Sequence, residues 1–247
     1  MRYLFGPGGA DRLGTLMASK PLLGFDFDGT LAPLAEHPDQ ASLGQTTMTL
    51  FTRLAERAKV VVISGRARAD VIPRVAGAPV SGVAGNHGIE PFGQTSEVES
   101  LVAEWRRLLE HDLAKWPGLI IEDKRYSLTV DYRHAPDLEA TRQAIQEAGR
   151  RLPRARLLGG RHADFNIAPE GAPDKGTAFR AFVTEFGCTS ALYVGDDRTD
   201  EDVFRLDMTG LLSVRVGRRR QSAAAYFLEE QPEIDRLLEM LLGLVRS

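Results

Sequence analysis

The chain of 247 residues contains a single cysteine, Cys188. That excludes an internal disulfide and any zinc site built on cysteines. Neither charge sign dominates: 31 basic residues against 34 acidic ones leave a net charge of -3. There is thus no electrostatic basis for binding nucleic acid or an anionic membrane. No apolar run approaches the roughly 20 residues of a spanning helix. Residues 1–20 lack the continuous apolar core of a secretory signal, being interrupted by Gly6-Pro7-Gly8-Gly9. A cytoplasmic monomer without nucleic-acid or membrane partners is expected. Those glycines are not a dinucleotide fingerprint, because no strand precedes them in the required way. No repeat or low-complexity tract is found, and Arg218-Arg219-Arg220 reads as a solvated loop.

What is present is an ordinary globular composition, 43% hydrophobic and 26% charged. Apolar strands alternate with helical patterns at both ends of the chain, as a parallel sheet with crossover helices requires. Strands are expected at residues 22–25, 60–63, 80–85, 191–194 and 212–216. Helices are expected at 46–58, 69–75, 177–185 and 233–245. The middle differs: helices at 97–116 and 138–152 accompany a hairpin at 119–130 and two further strands at 155–158 and 163–168. This is a small α+β unit, bracketed by the Gly/Pro-rich segments 88–93 and 169–173. The expected division is a core of 1–88 and 171–247, with an inserted unit at 89–170.

The chemistry concentrates where strands run out. Phe25-Asp26-Phe27-Asp28-Gly29-Thr30 follows an apolar run, and alternation along a strand would carry Asp26 and Asp28 toward one side. One carboxylate can attack phosphorus while its neighbour moves the proton. Gly29 permits a tight turn against a phosphate, and Thr30 can donate a further hydrogen bond. In a bland alternative, Asp-Gly is an ordinary turn. Downstream, Gly195-Asp196-Asp197-Arg198-Thr199-Asp200-Glu201-Asp202 crowds carboxylates whose repulsion implies a cation, and oxygen donors favour Mg²⁺ over zinc. Glu201 and Asp202 read as acids capping a helix N-terminus; Asp196 and Asp197 precede that cap. Ser64-Gly65-Arg66 closes another strand with a hydroxyl, an amide and a guanidinium suited to phosphate oxygens. Asp174-Lys175-Gly176 places a lysine just before a helix.

In this order the segments resemble the haloacid dehalogenase superfamily of phosphohydrolases, and more finely the trehalose-6-phosphate phosphatases. Asp26 to Pro33, Ser64-Gly65-Arg66, Gly85-Asn86-His87-Gly88 and Gly195 to Asp202 look like that family's signatures, and Glu122 to Arg133 like its cap hairpin. The resemblance covers nearly the whole chain beyond residue 20. It implies an α/β fold, a Rossmann-like parallel-sheet core with an inserted α+β cap. It also implies a Mg²⁺-dependent phosphatase that hydrolyses trehalose 6-phosphate, a small-molecule sugar phosphate, through an aspartyl-phosphate intermediate. Asp26 is then the nucleophile and Asp28 the general acid and base. Mg²⁺ is held by Asp26, Asp196 and the Asp28 carbonyl, with Asp197 or Asp200 as direct or water-bridged support. Ser64 and Lys175 bind phosphate oxygens, alongside Thr30 and Gly65. Arg66, Asn86 and His87 from the core, with Glu122, Lys124, Ser127 and Asn166 from the cap, recognise the sugar. His87 as a plain loop residue and Glu122/Lys124 as an exposed hairpin pair are the bland counterparts.

The match is incomplete. Where the family usually carries Glu-x-Arg-Pro, this chain has Asn166-Ile167-Ala168-Pro169, and Asp131 stands where histidine is common. Another sugar or pseudo-disaccharide phosphate is therefore the nearest alternative substrate. A phosphoacceptor signalling domain fits less well, since a long-lived phospho-aspartate needs no second carboxylate at position 28. A non-catalytic sugar-phosphate-binding module fits less well too, since none of the four motifs is missing.

Overall fold

The computed structural model describes residues 1–35, 38–160 and 163–245. In chain order its elements are β1 (Arg2–Tyr3), α1 (Gly9–Met17), β2 (Leu22–Phe25), α2 (Gln45–Ala55), β3 (Val60–Ile63), α3 (Arg68–Arg74) and β4 (Gly82–Ala84). There follow α4 (Ile89–Phe92), α5 (Ser96–Asp112), β5 (Ile120–Asp123), β6 (Leu128–Asp131), α6 (Leu138–Arg150), β7 (Ala155–Gly159) and β8 (Asp164–Pro169). The chain ends with α7 (Lys175–Glu185), β9 (Ala191–Gly195), α8 (Glu201–Phe204), β10 (Leu211–Val216), β11 (Tyr226–Leu228) and α9 (Glu233–Leu244). It folds as two compact units: Met1–Gly88 with the chain from Pro173 onward, and Ile89–Ala172. Among the described residues no helix is long and apolar enough to cross a membrane.

The first unit is built on a seven-stranded sheet in the order β1-β11-β10-β9-β2-β3-β4, parallel throughout. Its central strands read as unbroken apolar runs because both faces are covered. Alternation divides them cleanly. Leu23, Phe25, Val60, Val62, Leu192 and Val194 pack with Leu13, Leu50, Phe51, Leu237 and Leu241 of α1, α2 and α9. Leu22, Val61, Ile63, Ala191 and Tyr193 pack on the opposite side with Phe179 and Phe182 of α7 and with Val203 and Phe204 of α8. From β2 the chain proceeds outward to β3 and β4; from β9 it proceeds the other way to β10 and β11. The reversal between β2 and β9 is a topological switch point, where the carboxyl ends of neighbouring strands open a crevice.

Two parts of this unit lie outside the sequence expectation. β1 pairs with β11 over two residues, Arg2 with Tyr226 and Tyr3 with Phe227, too short for any periodicity to register. α1 begins at Gly9, behind Gly8 as its N-cap with a left-handed φ of 79°, so the glycine pair that interrupts the apolar pattern sits at the start of a helix.

The second unit is a four-stranded antiparallel sheet, β5-β6-β8-β7, with α5 and α6 on one face. Thr95 caps α5 by accepting from Val98 N, and Asp137 caps α6 by accepting from Ala140 N. Leu101, Val102, Trp105 and Leu109 of α5 meet Leu128, Val130, Phe165 and Ile167 of the strands. The opposite face is polar: Glu122, Thr129 and Asn166 lie in register across three strands.

Trp105 is fully buried, and its indole N–H donates to Pro153 O at 2.9 Å. Replacing it with alanine is expected to cost about 3–5 kcal/mol in the second unit. Both tryptophans of the chain lie in that unit. In Trp105→Ala the fluorescence of Trp116 should therefore report a markedly lower urea midpoint; an unchanged midpoint would contradict this packing.

Candidate active site

At the switch point Asp26 leaves β2 and Asp196 leaves β9, tied together by Asp26 N donating to Val194 O at 2.9 Å. The alternation argument for Asp26 and Asp28 does not apply as expected, because β2 ends at Phe25 and both residues lie in the turn beyond it. Their carboxylates take different partners. Asp26 Oδ1 accepts from Phe27 N at 2.8 Å and lies 2.9 Å from Lys175 Nζ. Asp28 is held by both arms of the Arg66 fork, from Nε and Nη2, at 2.7 Å each. Arg66 in turn donates to Asp70, which Arg74 also binds. Gly29, with φ 78°, forms the turn, and a Cβ there would overlap the Asp196 carboxylate. Gly29 therefore sustains a close approach that any side chain would block.

Lys175 is the first residue of α7, which Asp174 caps through Thr177 N at 2.7 Å. That start of the helix sends the lysine side chain inward, where it is 2% exposed between Asp26 and Asp200. Asp200 is saturated: Oδ1 accepts from Lys175 Nζ and Tyr193 OH, and Oδ2 from the amides of Asp196 and Asp197, all at 2.8–2.9 Å. Asp26, Asp196 and Asp200 each bring a carboxylate oxygen within 4.8 Å of the others'. This buried all-oxygen set could hold a metal ion. The Asp28 and Asp197 carboxylates are outside that trio.

Electrostatics agree with the geometry. Burial pushes the Asp26 carboxyl well above its usual range; the Asp200 charge adds to this, and Lys175 only partly offsets it. For Lys175, burial works against the charge, but Asp200 and Asp26 outweigh it and hold the ammonium above its usual value. The lysine therefore keeps its proton. Burial, followed by the Asp200 charge, raises the Tyr193 hydroxyl as well.

Ser64 is fully buried at the end of β3, and its Oγ accepts from Arg66 N at 3.1 Å. The turn at Asn86-His87 is left-handed at both residues, with φ of 51° and 56°. It is fastened to the Ser64 motif by Asn86 N to Arg66 O at 2.7 Å and His87 N to Ser64 O at 2.9 Å. Gly65 leaves room for the His87 ring, which a Cβ there would overlap. Thr30 Oγ1 is buried and makes no hydrogen bond among the described residues. Asp26, Asp28, Thr30, Ser64, Gly65, Arg66, Asn86, His87, Lys175, Asp196, Asp197 and Asp200 all belong to the first unit.

Glu122, Lys124, Ser127 and Asn166 belong to the second unit. Lys124 Nζ lies 3.8 Å from Glu122 Oε2, but the pair is not simply exposed: the lysine side chain is 10% exposed and the glutamate 57%. Ser127 is buried, and Asn166 Oδ1 accepts from Thr129 Oγ1 at 2.8 Å.

Glu201 opens α8, with Asp202 beside it in the first turn, as expected of acids at a helix N-terminus, but it is also buried and accepts from Arg215 at 3.3 Å and from Ala223 N at 2.9 Å, contacts that the sequence does not show. Arg215 and Tyr193 escape sequence reasoning, as does Gln231, whose amide donates to Thr30 O at 3.0 Å. Only Arg215 leaves a signal, as the lone charge within the apolar run Leu211-Leu212-Ser213-Val214-Arg215-Val216.

The sequence profile of the trehalose-phosphatase family matches residues 24–231. A trehalose-phosphate phosphatase of Mycobacterium avium is 34% identical over 80% of this chain, and one of Mycobacterium tuberculosis 32% identical over 94%. The chain belongs to the trehalose-phosphatase family. It spans 53% and 64% of the length of those two relatives. Among solved structures, the C-terminal domain of the Candida albicans trehalose-6-phosphate phosphatase is similar at a TM-score of 0.78 and 23% identity, covering 96% of this chain and 97% of that one. The expected fold class, a parallel-sheet core of the haloacid dehalogenase type with an inserted α+β unit, is the one observed.

The raised Asp26 pKa sets a pH dependence. A carboxyl whose folded-state pKa exceeds its unfolded value contributes stability below the unfolded pKa, and loses it as pH rises through the folded one. A divalent cation bound at the cluster would take the place of the carboxyl proton. Melting temperatures with and without Mg²⁺, taken from roughly pH 5 to pH 8, should show a cation-induced rise that grows with pH. A rise independent of pH would contradict the assignment.

Proposed function

We propose that the chain is a Mg²⁺-dependent phosphatase that hydrolyses trehalose 6-phosphate to trehalose and phosphate. The observation that carries this reading is the Asp26 carboxylate at the switch point, fixed by Lys175 within a buried cluster that could hold a cation, in a chain of the trehalose-phosphatase family. Asp26 attacks phosphorus, forming an aspartyl phosphate as the ester P–O bond breaks, and the departing sugar oxygen takes its proton from Asp28. Water then attacks the phosphoryl group, Asp28 receives its proton, and Asp26 leaves as a free carboxylate. Arg66 fixes the plane of the Asp28 carboxylate and yields one of its oxygens for each proton transfer.

Asp26, Asp196 and the Asp28 carbonyl would hold the metal, which when bound would neutralise charge on the carboxylates and the phosphate. Asp200 supports the site rather than ligating it, because its two oxygens already accept four hydrogen bonds. Asp197 supports through its main chain, donating to Asp200 and accepting from Arg215. Ser64, Thr30, Gly65 and Lys175 bind phosphate oxygens. Arg66, Asn86 and His87 contribute to the sugar site, and the second unit serves as the cap, its Glu122, Lys124, Ser127 and Asn166 recognising sugar hydroxyls. A cytoplasmic enzyme acting on this small molecule follows from the same reading.

A second reading, a related disaccharide phosphate as substrate, rests on Asn166, whose carbonyl is already engaged by Thr129. Phosphate release should be measured with Mg²⁺ on trehalose 6-phosphate and a panel of other sugar phosphates. Trehalose 6-phosphate is expected to be turned over fastest, and EDTA to abolish turnover. A different preferred sugar would replace the first reading with the second, and full activity after exhaustive chelation would defeat both. Asp26→Asn should lose activity below detection, and Asp28→Asn should lose about 10²–10⁴-fold, each with a melting temperature near that of the parent. Substantial turnover by Asp26→Asn would rule out the covalent route.

A further inference from the structure

Arg215 is 3% exposed, at the end of β10 in register with Gly195 of β9. A buried guanidinium is costly unless its donors are used; here the two terminal nitrogens are directed at the acidic loop, while Nε makes no hydrogen bond among the described residues. Nη1 donates to Asp197 O at 3.0 Å and Nη2 to Asp196 O. Nη1 also reaches Glu201 Oε1 at 3.3 Å, and Glu201 is fixed in turn by Ala223 N at its other oxygen. The two loop residues that Arg215 grips by their carbonyls are those whose amides Asp200 grips from the other side, at 2.9 and 2.8 Å. The peptides on either side of Asp196 are thus clamped between a buried cation and a buried anion.

We propose that Arg215, steadied by Glu201, is a positioning residue that sets the metal affinity of the site by orienting Asp196. The inference rests on the reading of Asp196 as a metal ligand. It makes a prediction opposite in sign to simple electrostatics. Removing a nearby positive charge should tighten cation binding if charge alone matters, because Arg215 repels the ion. Removing a clamp should loosen it, since groups that orient ligands typically govern metal affinity by about 10–100-fold.

The test is direct binding of Mn²⁺, a spectroscopic stand-in for Mg²⁺, measured by the loss of the free-ion paramagnetic resonance signal. The parent, Arg215→Met, Arg215→Lys and Glu201→Gln are compared, with circular dichroism as the check on folding. Arg215→Met is expected to weaken Mn²⁺ binding about 10–100-fold. Arg215→Lys keeps the charge but cannot span both carbonyls, so its affinity should fall between the two. Glu201→Gln should weaken binding less than Arg215→Met, because the carbonyl contacts survive. Turnover by Arg215→Met should recover toward the parent value as metal is raised, with little change in KM for the phosphate ester. A folded Arg215→Met that binds Mn²⁺ as tightly as the parent, or tighter, overturns the proposal. If Arg215→Met does not fold, parent-like affinity in Arg215→Lys overturns it instead. Should the parent itself fail to bind Mn²⁺, it is the metal reading of the site that falls.

Discussion

The structure of the first unit turns on a buried charge imbalance. Asp26, Asp196, Asp200 and Glu201 are buried carboxylates, and Lys175 and Arg215 are the buried cations among them. Four negative charges against two positive leave a deficit of two, the charge of one divalent ion. Lys175 bridges Asp26 and Asp200, and Arg215 pairs with Glu201. Burying ions is repaid only where geometry is good and the remaining hydrogen-bonding positions are filled. The hydrogen bonds crowded onto Asp200 and the raised pKa of Asp26 are two responses to the same constraint.

That constraint assigns different work to neighbouring aspartates of similar appearance. Asp200 spends its oxygens on a lysine, a tyrosine and two amides, and so shapes the loop. Asp196 carries its carboxylate against Gly29, where the absence of a side chain brings the turn after β2 close to the end of β9. Asp197 is partly exposed and contributes through its main chain. The parallel sheet makes this economical, because β2 and β9 end side by side where the connections diverge.

Much of this was legible in the sequence, for identifiable reasons. Strands buried on both faces are continuous apolar runs, and Asp26, Ser64 and Asp196 follow directly on such runs. What was not legible depends on contacts between residues distant along the chain. Arg66 and Asp28 are 38 positions apart, and the fork that joins them could not be read from either motif. Glu201 reads as a helix-opening acid, and it does open one; its burial beside Arg215 is a tertiary fact that the local signal does not carry. β1 and β11 are too short to show a period, and their pairing joins the two ends of the chain. Tyr193 passed as one more apolar residue of a strand, yet its hydroxyl reaches Asp200.

The two units place their polar groups on different terms. In the first, Asp26 and Asp200 are each pinned by more than one partner, so exchanging one forces its neighbours to rearrange. In the second, the row Glu122, Thr129 and Asn166 lies on a sheet face whose reverse side carries the core. Residues on that face can change without disturbing Leu128, Val130 or Ile167 behind them. Asn166 illustrates the consequence. Its side-chain oxygen accepts a hydrogen bond from the Thr129 hydroxyl, which directs the amide N–H toward Asp164 Oδ2 at 3.4 Å. A carboxylate at 166 would offer only acceptors, whereas the amide offers donors on this side. Where a buried polar site selects among hydroxyl patterns, such an inversion can shift discrimination by orders of magnitude. On the proposed function, an exchange at Asn166 would alter the hydroxyl pattern selected by the second unit without touching Asp26 or Lys175 in the first.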